Sequence, residues 1–153
     1  MSITYEFEAE THFDIYRSVS QIFEFLDLSP DLKPVNEGST VIYGNSPHFT
    51  IYGHPIDDSE DALTQLLNLS PTVRMNFRVK LSSGNKAEED ILRGTVSWLK
   101  AYPGNCALLF NGELVLFVRK AGQISINSNT DFWMPTFLEI FQVPYNKVPF
   151  EIL

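Results

Sequence analysis

From Ser2 to Ala9 the chain alternates, with Ile3, Tyr5, Phe7 and Ala9 on one side and Thr4, Glu6 and Glu8 on the other, the period of two that a half-buried strand requires. Val19, Ile22, Phe23 and Leu26 then recur at steps of three and four, which predicts a helix from Asp14 to Leu28, stopped by Pro30 and Pro34. Two β-branched and aromatic runs, Ser39 to Tyr43 and His48 to His54, flank Gly44-Asn45-Ser46-Pro47 and read as a hairpin. Ser59 is placed to cap a short helix carrying Ala62, Leu63, Leu66 and Leu67, with acids at its amino end, where the helix dipole favours them.

The second half repeats this vocabulary. Thr72 to Leu81 is the plainest strand, with Val73, Met75, Phe77, Val79 and Leu81 inward and Arg74, Asn76, Arg78 and Lys80 outward. Ile91, Leu92, Thr95, Val96 and Leu99 predict a long helix from Asn85 to Ala101, entered through three acids and closed by Pro103-Gly104. A meander follows: Ala107 to Phe110, a turn at Asn111-Gly112, Leu114 to Arg119, a turn at Ala121-Gly122, then Gln123 to Asn127. Asn-Gly between apolar runs marks a type I′ hairpin, whose two central residues need positive φ. Asp131 to Phe141 predicts a loop and short helix, and the tail, with Pro144 and Pro149, is extended and apolar enough to dock on the body. The elements predict one α+β domain over 1–153: a mainly antiparallel sheet of about six or seven strands with two or three helices on one face.

Composition narrows the class. No apolar run reaches the ~18 residues of a membrane span, and Met1 to Glu10 has no basic start or greasy stretch, so a cytoplasmic location is expected. Cys106 is the only cysteine, which excludes an internal disulfide. It lies in an apolar strand pattern without a basic residue or histidine close in sequence and reads as a small buried hydrophobe. The net charge of −8 is uneven: residues 1–70 hold twelve acids against two bases, a net −10, and residues 71–153 hold seven acids against nine bases, a net +2. An acidic total argues against nucleic acid, whose binding draws on Lys and Arg at phosphates. It suits a basic protein partner, whose approach a negative field accelerates.

Four constellations bear on chemistry. His48 and His54 with Asp57 and Asp58 hold metal-ligand types, but on one strand the histidines would stand about 20 Å apart, too far to share an ion. Asp57, Asp58, Glu60 and Asp61 fit a solvated helix entry or a contact for a basic partner, and the oxygen spacing of an EF-hand is absent. The row Arg74, Asn76, Arg78, Lys80 lacks the interleaved aromatics of a single-strand nucleic-acid platform and reads as an exposed sheet face paired with the acidic amino-terminal half. Trp133, beside Phe132 and Met134, either caps the core or contacts a partner. Phosphate loops, Gly-x-Ser-x-Gly elbows, His-Glu-x-x-His and Cys-x-x-Cys are all missing, and no cofactor or metal is expected.

The second half also carries a resemblance. Ser70-Pro71-Thr72-Val73-Arg74-Met75-Asn76-Phe77-Arg78, Pro103-Gly104-Asn105-Cys106-Ala107-Leu108-Leu109-Phe110, Val115-Leu116-Phe117-Val118-Arg119, Phe132-Trp133-Met134-Pro135 and Pro144-Tyr145 follow in order. Together with the opening Ile3-Thr4-Tyr5-Glu6-Phe7-Glu8, they resemble the immunity proteins of the swarm-inhibition toxin (Sit) systems of myxobacteria. The likeness is in register over residues 70–150, while residues 11–69 match only in general pattern. Where relatives tend to have an acid in the Pro-Gly turn, this chain has Asn105. The resemblance implies a small cytoplasmic protein that protects its cell by binding a cognate toxin domain, and it carries over no catalytic residues. Two other readings stand beside it: a small enzyme using histidines or carboxylates gathered from 48–61, and an interaction domain without a toxin.

Overall fold

The computed structural model describes residues 2–56 and 67–150. Its strands are β1 (Thr4–Ala9), β2 (Lys33–Pro34), β3 (Ile42–Asn45), β4 (Phe49–Pro55), β5 (Val73–Val79), β6 (Cys106–Phe110), β7 (Leu114–Lys120), β8 (Gln123–Asn127) and β9 (Asn146–Val148). The helices are α1 (Ile15–Phe25), α2 (Lys86–Ala101) and α3 (Pro135–Ile140), with a single 3₁₀ turn at Leu81–Ser83. All strands join one sheet in the order β2-β3-β4-β5-β1-β6-β7-β8-β9. Pairing is antiparallel except between β8 and β9.

Every strand read from alternation or apolar runs is present, so the α+β expectation holds, but β5 stops at Val79, and Leu81, expected inward, is exposed in the 3₁₀ turn. The sheet is wider than expected because β2 and β9 add its two edges, and segments of two or three residues beside prolines are too short to show a period. The short helix expected after Ser59 lies outside the described residues.

Local chemistry fixes the helix ends. Asp14 Oδ1 accepts from the Arg17 amide at 2.7 Å, an N-cap that starts α1 one residue later than predicted. At the other end the Leu28 amide donates to Phe23 O at 2.9 Å and the Asp27 amide to Glu24 O at 3.1 Å. This is a Schellman closure with Asp27, φ 55°, in the left-handed position. It ends the helix before Pro30. α2 ends on a side chain from the sheet: buried Arg119 of β7 donates to Leu99 O, Tyr102 O and Gly104 O at 2.8, 2.6 and 2.7 Å. A cation at the carbonyl end of a helix meets both its unsatisfied acceptors and its dipole.

Two glycines set how closely α1 approaches the sheet. A Cβ on Gly53 of β4 would stand 2.5 Å from Val19 Cγ2, and one on Gly44 of β3 would stand 2.8 Å from Phe23 Cε2. The hairpin turns form as read, with Asn111 and Gly112 at φ 52° and 72° and Ala121 and Gly122 at 50° and 80°. Alanine is costly there. Its amide is held by Asn105 Oδ1 at 2.9 Å, an acceptor role a carboxylate fills equally well.

The helix-side core runs through Phe7, Phe77, Ile51, Trp98, Ile22 and Phe117. A register shift between Leu108 and Leu109 leaves Leu116 as an extra residue of β7, so Leu116 and Phe117 both join this cluster. A second, smaller cluster, Leu69, Ala107, Leu109, Val115 and Val118, lies on the opposite face, with Leu67 and Phe150 packed against it. The tail thus docks as expected, and the Phe150 amide donates to Asn127 Oδ1 at 3.1 Å.

Candidate functional site

The face of β3, β4, β5 and β1 turned away from the helices is built of cross-strand rows. In antiparallel pairs, directly opposed residues share a face. One row runs Lys33, Tyr43, Tyr52, Asn76, Glu6. The next runs His54, Arg74, Glu8, and a third Asn45, Thr50, Arg78, Thr4. Alternation within each strand puts the complementary apolar set, Phe49, Ile51, Val73, Met75, Phe77, Tyr5 and Phe7, into the core.

The outward side chains are tied to each other. Arg74 Nε meets Glu8 Oε1 at 2.6 Å, with Glu8 only 2 % exposed. Asn76 Nδ2 donates to Glu6 Oε1 at 3.3 Å. The expected pairing of this row with the acidic amino-terminal strand is therefore present at two of its positions. Lys80 donates to Ser46 O at 2.6 Å and closes the β3–β4 turn. The Tyr43 and Tyr52 rings lie 5.4 Å apart, tilted by 60°, and the Arg78 guanidinium sits 5.8 Å from the Tyr52 centroid, within cation–π range. This corrects the sequence reading that the Arg74–Lys80 row has no aromatics on its face. The aromatics come from β3 and β4, which no inspection of β5 alone reveals.

Trp133 packs against the core. It is half-buried, its Nε1 donates to Leu116 O at 3.1 Å, and its ring packs on Phe132 and Phe141. Met134 beside it is 37 % exposed. Asp57, Asp58, Glu60 and Asp61 lie outside the described residues.

The histidines do not share a strand: His48 precedes β4 with Nδ1 3.3 Å from Ser83 Oγ, whereas His54 stands opposite Arg74. Burial, and then the Arg74 charge, hold the His54 pKa below its ordinary 6.5. Among the described residues, no group of three His, Cys, Asp or Glu side chains is gathered to hold a metal ion. Cys106 does have a basic neighbour, Arg119 directly across the β6–β7 pair. Burial nonetheless dominates and pushes the thiol up to about 12, so Cys106 is no nucleophile near neutral pH. The Tyr5 hydroxyl donates to Glu88 Oε2 at 3.1 Å, and burial, followed by that carboxylate's charge, raises its pKa.

A groove of about 530 Å³ lies between α2 and α3, bordered by Phe25, Val96, Lys100 and Ile140, with Arg93 engaged by Asp90 at 2.7 Å and Glu89 at 3.6 Å. No helix among the described residues is long and apolar enough to cross a membrane. Of the acids in residues 1–70, Glu6 and Glu8 are engaged within the sheet and Asp14 caps α1. Asp14, Glu24, Asp27, Asp31 and Glu37 are the exposed ones among the described residues. Among the described residues of this half, the exposed acids sit at the two ends of α1 and in the loop that follows it.

Comparison with known proteins agrees with this architecture and with the motif order. The model of the SitI3-like family matches residues 3–137. The match includes residues 11–69, so the likeness extends further toward the amino terminus than the motifs show, and it stops within α3, ahead of the Pro144-Tyr145 tail. Neither a curated protein nor a solved structure matches the chain. A match that spans the whole sheet from β1 through β8, with all of α1 and α2, places the chain in one lineage: it belongs to the SitI3-like family.

Proposed function

We propose that this chain is an immunity protein that binds a cognate bacterial toxin domain in the cytoplasm and neutralises it by contact, without catalysis. The observation that carries this reading is the family match over residues 3–137. The chemistry of the described residues supports it: a buried thiol and charged side chains engaged with one another in the sheet. Asp57, Asp58, Glu60, Asp61 and Trp133 are candidate contacts on sequence grounds. The exposed acids Glu24, Asp27, Asp31 and Glu37 add a negative field that speeds encounter with a basic toxin domain.

The test is co-expression with the toxic domain encoded beside this gene. Survival of cells that carry both, with a complex recovered by size-exclusion chromatography, is the expected result. Equal killing with and without the chain, and no complex, overturns the reading.

A further inference from the structure

We infer that the outer face of β3–β4–β5, centred on Tyr43, Tyr52 and Arg78, is the docking surface for that toxin domain. The matching patch on the toxin presents a carboxylate side chain to Arg78 and a flat apolar contact to the two tyrosines. The inference rests on the immunity reading and adds where and by what chemistry the partner is held.

The first support is a contrast in coverage. The neighbouring part of the same face, on β6 and β7, is sealed by Leu67, Leu69 and Phe150. Tyr43, Tyr52 and Arg78 belong to neither apolar cluster; both tyrosines are half-buried and Arg78 is exposed. Tyrosine and arginine are the residue types that dominate interface hot spots, because they offer large, stiff area with a polar tip. Here they are stacked before any partner arrives, at 5.4 Å and 5.8 Å, which lowers the ordering cost of binding.

The second support is charge. Among the described residues, the acids of this face, Glu6 and Glu8, are engaged by Asn76 and Arg74. Arg78 and Lys33, at either side of the tyrosine pair, are exposed and make no ion pair among the described residues. These two cations complement a carboxylate. Two cations among the described residues of the patch are too few for a phosphate backbone, whose affinity grows with each phosphate neutralised. A protein is therefore favoured over a nucleic acid.

The third support is that the edges are closed to strand addition. β2 is two residues long and contains Pro34, and β9 is three residues long between Pro144 and Pro149. Recognition by the sheet is thereby directed to its face.

The experiment is titration calorimetry of the full chain with the purified toxin domain encoded beside its gene. Tyr52→Ala and Arg78→Glu each weaken binding at least about thirtyfold with unchanged thermal unfolding, Arg78→Lys loses less, and Lys120→Glu, outside the patch, binds like wild type. Restoration of Arg78→Glu binding by a Glu→Lys or Asp→Lys change on the toxin identifies the carboxylate. If wild type binds and both patch variants bind equally well, this face is wrong while the immunity reading stands. If wild type does not bind, the immunity reading fails and this inference falls with it. If oligouridylate binds and Tyr52→Ala abolishes that binding, the face serves nucleic acid and the inference is overturned.

Discussion

The outer face of the sheet changes character between two adjacent strands. On β1 it shows Glu6 and Glu8, and on β6, directly opposite, it shows Leu109 and Ala107. To the β5 side lie Asn76, Arg74, Tyr52 and Tyr43; to the β7 side lie Val115 and Val118 under Leu67, Leu69 and Phe150. Both regions belong to one hydrogen-bonded ladder, so backbone pairing does not distinguish them. What differs is whether the outward side chains satisfy one another or need a cover. Polar side chains there satisfy one another, as Arg74 and the buried Glu8 do. Apolar ones recruit the tail and the residues before β5, at about 25 cal/mol for each Å² removed from water. One region is thus left for a partner and the other is spent on the fold.

The sharpest way to break this comparison is an equivalent insult on each side. Leu109→Asp buries an unpaired charge under Leu69 and Phe150 and should cost more than about 4 kcal/mol, read by urea denaturation. Tyr43→Ala, which removes only a cross-strand ring contact, should cost about 1 kcal/mol or less. Similar costs for the two would mean that the bare region is also structural.

A smaller effect sharpens the covered side. Asn127 is fully buried, donating to Val115 O at 2.8 Å and accepting from the amides of Asn129 and Phe150 at 2.8 and 3.1 Å. Asn127→Ala orphans three backbone groups and should cost about 2–3 kcal/mol, with faster proteolysis of the tail, because the tail's tether and the cover it carries are lost together. An intact tail and unchanged stability would show that Phe150 docks without that tether.

The least effect concerns pH on the bare side. His54 has a depressed folded-state pKa, so between that value and 6.5 the unfolded chain binds more protons than the folded one, and stability rises with pH through this window. Acidification from pH 7 to 5 should therefore erode stability slightly, and His54→Gln should flatten that part of the profile. A profile unchanged by the substitution would remove His54 from the account.

Much of this division is already written in the sequence. β1, β4 and β5 alternate strictly, as strands covered on one face do, whereas Ala107-Leu108-Leu109 and Val115-Leu116-Phe117-Val118 are continuous apolar runs, as strands buried on both faces must be. The helix periods and the Asn111-Gly112 turn are legible for the same reason: each depends on residues within a few positions of one another. The bulge at Leu116, the Arg119 cap on α2 and the Trp133 bond to Leu116 O were not, because each joins elements far apart along the chain.

By itself, then, the sequence determined which segments become strands and helices, which side of each is apolar, and, through its motif order, the family. Only the tertiary structure decided that β5 lies beside the β3–β4 hairpin, with Tyr43, Tyr52 and Arg78 on one surface. Hydrophobic period is a local property of a strand, whereas a surface is made by the order of strands, and that order follows from long-range packing no short window contains.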